Sequence, residues 1–230
     1  MILNGMWVIS MHALSLEEKM LMDTVFQNIE NLHKNYCQTP QMDWNHLLHL
    51  AVDQNVFLLF YKNIADIMPY EIRQKCKVIY TQYKVRIKQK IADSKFLSER
   101  FNENSIRYAI VKGFVLSQII YGDPFQRVFG DIDIIVDEKH MVKACHLMDN
   151  LGYSEENISR TIPLNTFARD YFYYCSQEKK FIQEGGTLVE LKKTVSRISA
   201  NEFHDALQNG CDVEINGISF PSLGIRDVAL

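Results

Sequence analysis

The run Asp131-Ile132-Asp133-Ile134-Ile135-Val136 constrains this chain more than any other stretch of it. In an extended strand, residues two apart face the same side, so Asp131 and Asp133 point one way while Ile132 and Ile134 point the other. With Cα atoms about 6–7 Å apart, the two carboxylates repel and are costly to hold ionised unless a cation or a proton lies between them. Mg²⁺ and Mn²⁺ answer that need, because they take carboxylate oxygens and keep positions open for water and phosphate oxygens. The pair thus points to phosphoryl or nucleotidyl chemistry. Two aspartates in a solvated edge strand are the plainer reading. The apolar residues that follow, the preceding Gly130 and an upstream Lys112-Gly113 turn argue against it.

Around this strand the chain changes character. Ser15 and Glu18 have capping-box spacing, and apolar residues from Leu16 to Leu32 predict a first helix over about 16–33. Asp43 can cap a second helix whose apolar face runs from Trp44 to Tyr61, and Cys76, Ile79, Tyr83, Ile87 and Ile91 mark a third over about 71–101. Beyond residue 103 the period shifts. A strand over 106–111, a helix over 114–121, the strand from Asp131 and an Asp137-capped helix over 138–151 follow. Further strands are expected at Tyr171–Ser176, Leu188–Lys192 and Val213–Phe220, the last folded at Asn216-Gly217, with a helix over about 200–208. The fold class is therefore α+β: a helical region over 1–102 packing on a core over 103–230 built from a small mixed sheet flanked by helices.

Composition removes several classes. The net charge of −3 gives no global pull towards nucleic acid or membrane, although nine basic residues stand against two acids between Arg73 and Arg100. That basic face of the third helix is read as solvated, with a polyanion such as tRNA as its functional alternative. The five cysteines are scattered and never form a CxxC pair, so neither a disulfide framework nor a zinc site is expected, and a reducing cytoplasm fits. His46 with His49, and His140 with His146, lack a third ligand of the zinc type. The apolar N-terminus lacks a basic n-region and a cleavage site, and no apolar run is long enough for a membrane span.

The run VKGFVLSQIIYGDPFQRVFGDIDIIV resembles the signature of the uncharacterised nucleotidyltransferase family of the DNA polymerase β-like superfamily: a Lys-Gly turn, a Tyr-Gly-Asp-Pro loop, an arginine, then Gly-Asp-Ile-Asp. More loosely the resemblance reaches Asp43-Trp44, the LVEL segment and the final hairpin. It implies an enzyme that moves an NMP from an NTP, ATP first among them, to a hydroxyl with the help of two metal ions. Asp131 and Asp133 would be metal ligands, and Glu190 the third acid, which orients or deprotonates the attacking hydroxyl. Gly113 would let the backbone approach a phosphate, and Lys112 and Arg127 would neutralise the triphosphate. Two departures stand out. Lys112 occupies the first turn position, where the wider superfamily more usually has glycine, and Lys192-Lys193 follows Glu190, where the family commonly has a histidine and an aromatic. Family members also commonly continue past a segment like GIRDVAL, so part of an acceptor site is expected beyond it.

Each site residue has an ordinary counterpart reading. Glu190 could be a surface acid paired with Lys192 or Lys179, Lys112 and Arg127 ordinary surface cations, and Asp123 a turn-shaping residue. At the level of function the alternatives are a non-catalytic nucleotide- or RNA-binding module of the same fold, or a toxin–antitoxin component acting on tRNA or protein. The acceptor (small molecule, protein or tRNA) and the oligomeric state are not encoded in these motifs.

Overall fold

The computed structural model describes residues 14–26, 36, 41–156, 166–193, 206 and 209–224. The helix expected over 200–208, apart from residue 206, and the far end of the first helix lie outside them. The chain divides into two compact units, Met1–Lys84 and Val85–Leu230, the division falling within one long helix.

In the first unit, α1 (Leu16–Val25) begins with the expected capping box: Ser15 Oγ accepts from the Glu18 amide at 3.1 Å, and Glu18 Oε2 accepts from the Ser15 amide at 2.8 Å. The single second helix expected from the sequence is two helices, α2 (Trp44–Asp53) and α3 (Phe57–Ile64). The break is at Asn55, whose φ of 57° is left-handed, a conformation that asparagine tolerates better than most residues. The Val56 amide then donates to Ala51 O, so the backbone bonds of α2 close before α3 starts. Met20, Leu47, Phe57, Phe60 and Ile64 are buried, which is the core that the helical periodicity implied. α4 (Tyr70–Glu103) fulfils the third expected helix, with Cys76, Ile87, Ile91, Leu97 and Phe101 buried along one stripe.

The second unit holds the sheet. Its strands are β1 (Tyr108–Val111), β2 (Asp131–Val136), β3 (Ser154–Glu155), β4 (Glu178–Ile182) and β5 (Leu188–Lys192), in the order β1-β2-β5-β4-β3. β2 runs antiparallel to β1 and parallel to β5. Between β1 and β2 lies α5 (Gly113–Tyr121), and after β2 a 3₁₀ turn (Glu138–His140), capped by Asp137, leads into α6 (Met141–Asn150). The hairpin β6 (Cys211–Ile215) with β7 (Ile218–Ser222) turns at Asn216-Gly217, as expected. Ala109, Val111, Ile135 and Leu223 form one buried cluster beside it.

One expected strand is instead a helix. The segment around Tyr171–Ser176 belongs to α7 (Thr166–Cys175). Its aromatic run favours a strand by intrinsic propensity, but tertiary contacts at helical spacing decide otherwise. Tyr173 is fully buried and donates its hydroxyl to Asp149 Oδ2 at 2.9 Å, while Arg169, one turn earlier, reaches the same oxygen at 3.6 Å. Phe167, Tyr171 and Tyr174 stay exposed.

Strand β4 carries no apolar alternation in its sequence, Glu-Lys-Lys-Phe-Ile, because one inward position is a lysine. Lys179 and Glu155 are each 2% exposed at the side chain and lie 3.7 Å apart, with the Lys179 ammonium over the Phe172 ring. Burial pushes the Lys179 amine below its ordinary pKa, and Glu155 opposes that shift. Removing one member of such a pair leaves an uncompensated buried charge. Lys179→Met should therefore destabilise the fold by about 3–5 kcal/mol in urea unfolding, and adding Glu155→Leu should restore most of the loss.

Candidate active site

The parallel register between β2 and β5 sets Asp131 opposite Leu188, Ile132 opposite Val189 and Asp133 opposite Glu190. Alternation then turns Asp131, Asp133 and Glu190 to one face, away from the buried Ile132, Ile134, Val189 and Leu191. One oxygen from each of the three acids lies within 4.8 Å of the others. Asp133 and Glu190 are each only 7% exposed.

Two lysines that the sequence reasoning did not place in the site complete it. Lys192 Nζ donates to Asp133 Oδ1 at 2.5 Å and lies 2.6 Å from Glu190 Oε2. Lys180, opposite Glu190 on β4, reaches Glu190 Oε1 at 2.8 Å. The signal for Lys192 was its position two residues beyond Glu190, hence on the same face; Lys180 gave none, because β4 itself was not legible. Lys179 points to the opposite side, so it is Lys180 and not Lys179 that pairs with Glu190. Lys193 also turns away, donating to Tyr174 O and lying over the Tyr174 ring.

These contacts set the charge states. Burial alone would raise the Glu190 carboxyl, but hydrogen bonds from Lys180 and Lys192 outweigh it and hold the acid below its ordinary range. Lys192 shows the mirror image: burial disfavours the ammonium, while hydrogen bonds to Asp133 and Glu190 hold its pKa above the usual lysine value. Asp131 differs. Among the described residues it forms no ion pair, and burial, then the charges of Asp133 and Glu190, push its carboxyl above the ordinary range. A hard divalent cation fits this donor set, since it would meet the uncompensated carboxylate and its neighbour together.

Lys112 and Gly113 stand at the end of β1, where Val111 pairs with Asp133. Lys112 Nζ lies 3.8 Å from Asp133 Oδ1. Lys112 has φ 61° and ψ −153°, Gly113 has φ +47°, and no side chain caps the N-terminus of α5 that they form. A Cβ on Gly113 would meet the Phe129 ring at 3.1 Å, so glycine is needed there for space as well as for φ. Arg127 lies in the loop after α5 and, among the described residues, forms no ion pair; its Nη1 is buried without a hydrogen-bond partner. Asp123 shapes that loop, accepting from the Phe125 amide and from Gln126 Nε2. The structure thus joins Asp131, Asp133, Glu190 and Lys112, and leaves Arg127 without a contact to the acids.

His140 and His146 are engaged elsewhere. His140 Nδ1 accepts from the Arg107 amide, and His146 meets Asp170 at 2.6 Å. No helix among the described residues is long and apolar enough to cross a membrane.

A family model described as uncharacterised nucleotidyltransferase matches residues 40–230, and the chain belongs to that family. No curated protein matches the chain.

Because Asp131 forms no ion pair among the described residues and is raised by burial and by Asp133 and Glu190, removing its charge should relieve repulsion in the metal-free protein. Asp131→Asn is expected to raise stability in EDTA by about 1 kcal/mol, measured by thermal unfolding.

Proposed function

We propose that this protein is a metal-dependent nucleotidyltransferase that moves an NMP from an NTP, ATP first among them, to a hydroxyl of a separate acceptor, with its catalytic core over 103–230. The observation that supports this most is the convergence of Asp131, Asp133 and Glu190 on one face of β2 and β5, in a chain of a nucleotidyltransferase family. In this reading Asp131 and Asp133 hold Mg²⁺ or Mn²⁺, with Glu190 as the third ligand. When bound, the ions supply neutralisation of the triphosphate and of the charge that develops in the transition state.

The remaining work belongs to the chain's own side chains and backbone. The amides at the start of α5 donate to phosphate oxygens, with Gly113 giving the close approach. Lys112 and Arg127 neutralise the triphosphate, and the unpartnered Nη1 of Arg127 supports that role. Glu190, kept ionised by its lysines, orients the acceptor hydroxyl and takes its proton as the oxygen attacks the α-phosphorus in line. The bond from the α-phosphorus to the bridging oxygen breaks, and pyrophosphate leaves. The cysteines that the structure describes are free thiols, which suits a reducing cytoplasm.

A second reading, a binding module that has kept the fold without the chemistry, has one observation in its favour. Lys192 and Lys180 already neutralise Asp133 and Glu190, which is the task a metal would perform. Labelled ATP, Mg²⁺ and a cell extract separate the two. Asp131→Asn and Asp133→Asn should each abolish AMP transfer with the fold intact by circular dichroism, and Glu190→Gln should slow it by about 10²–10⁴. Undiminished transfer by either aspartate variant would sink the enzymatic reading.

A further inference from the structure

Beside the Asp131 end of β2 lies a cavity of about 600 Å³ that the nucleotide scheme does not use. Its walls are Arg86, Lys90 and Asp93 of α4, Gly130, and the β4–β5 turn around Gly185 and Thr187. Strand order gives its side. β1 brings Lys112-Gly113 along one edge of β2, whereas β5 brings Glu190 along the other. Leu188 of β5, which pairs with Asp131, also lines the cavity. The cavity therefore flanks Asp131 on the side of the acid assigned to the acceptor hydroxyl.

Its wall is built rather than accidental. Asp93 accepts from Thr187 Oγ1 at 2.6 Å and from Gln89 Nε2 at 2.8 Å, tying the β4–β5 turn to α4. Arg86 and Lys90 sit one helical turn apart on that wall, where like charges repel. Among the described residues neither forms an ion pair. Lys90 is partly buried, 5.6 Å from the centre of the Phe129 ring. Burial, then Arg86, works against its charge, and Asp131 and Asp93 favour it. An anion between the two cations would relieve both strains.

We propose that this cavity is the acceptor pocket, and that the acceptor is a small hydroxyl compound bearing a phosphate group, held by Arg86 and Lys90. The volume suits a small molecule. The inference rests on the transfer reading for Asp131, Asp133 and Glu190: the acceptor's hydroxyl oxygen bonds to the α-phosphorus, its proton passes to Glu190, and pyrophosphate leaves with the electrons of the broken bond.

Isothermal titration calorimetry on the full chain tests it, with glycerol 3-phosphate, inorganic phosphate and glycerol as probes. The two phosphates should bind and glycerol should not. Arg86→Gln combined with Lys90→Gln, both on the surface of α4 and checked for folding by circular dichroism, should weaken the phosphates by about ten-fold or more. Its affinity for a non-hydrolysable ATP analogue with Mg²⁺ should not change. The proposal is overturned if neither phosphate binds the unaltered chain, or if the double variant binds them as well as the parent does. It is equally overturned if the variant loses the ATP analogue in parallel, which would make the cavity part of the nucleotide site, or if only a tRNA or a protein competes for it. Asp131→Asn provides the separate control: retained Mg²⁺-dependent binding of the analogue by that variant would count against the transfer reading and leave the phosphate result standing.

Discussion

The parallel pairing of β2 with β5 is the constraint on which the site depends. It sets Asp133 beside Glu190, residues far apart in the chain, and the two-residue alternation brings Asp131 to the same face. A parallel neighbour requires a long crossover connection, and the segment between β2 and β5 supplies α6, β3, α7 and β4. β4 then returns antiparallel and carries Lys180 to the acids. The apolar opposite face of the same strands holds this register, since a slip of one residue would drive the carboxylates into the core.

Charge in the site is balanced unevenly. Lys192 bridges Asp133 and Glu190, Lys180 adds a second cation to Glu190, and Lys112 stands near Asp133, while Asp131 forms no ion pair among the described residues. The site is thus a set of acids in which Asp133 and Glu190 have their compensation built in and Asp131 is raised by its neighbours' charge. Across the sheet, Glu155 and Lys179 repeat the pairing of acid with lysine in a buried setting. The adjacent Lys179 and Lys180 serve opposite faces of one strand.

Much of this was legible in the residues. The Asp-x-Asp strand, the Lys-Gly turn, the LVEL strand and the Asn-Gly hairpin each announce themselves through short-range chemistry, and the structure places them as strands and turns where expected. What failed to show depends on partners distant in the chain. β4 hides its alternation because Lys179 is inward, and only Glu155 makes that position tolerable. α7 reads as a strand because its aromatics favour one, and only contacts from Tyr173 and Arg169 to Asp149 reveal the helical spacing. The break at Asn55 turns on a single left-handed residue within an otherwise continuous apolar pattern. Lys180 could not be assigned to the site before its strand was known.

The backbone at Lys112 carries one more consequence. Its φ of 61° with ψ −153° falls in a region that is almost the preserve of glycine, and a side chain there costs about 1–3 kcal/mol. A glycine at this place would remove the strain without altering the course of the chain. Here the fold tolerates the less comfortable residue, and that residue sets its ammonium 3.8 Å from Asp133. Position 112 is therefore a point where conformational ease and charge placement pull in opposite directions, and in this chain charge placement prevails.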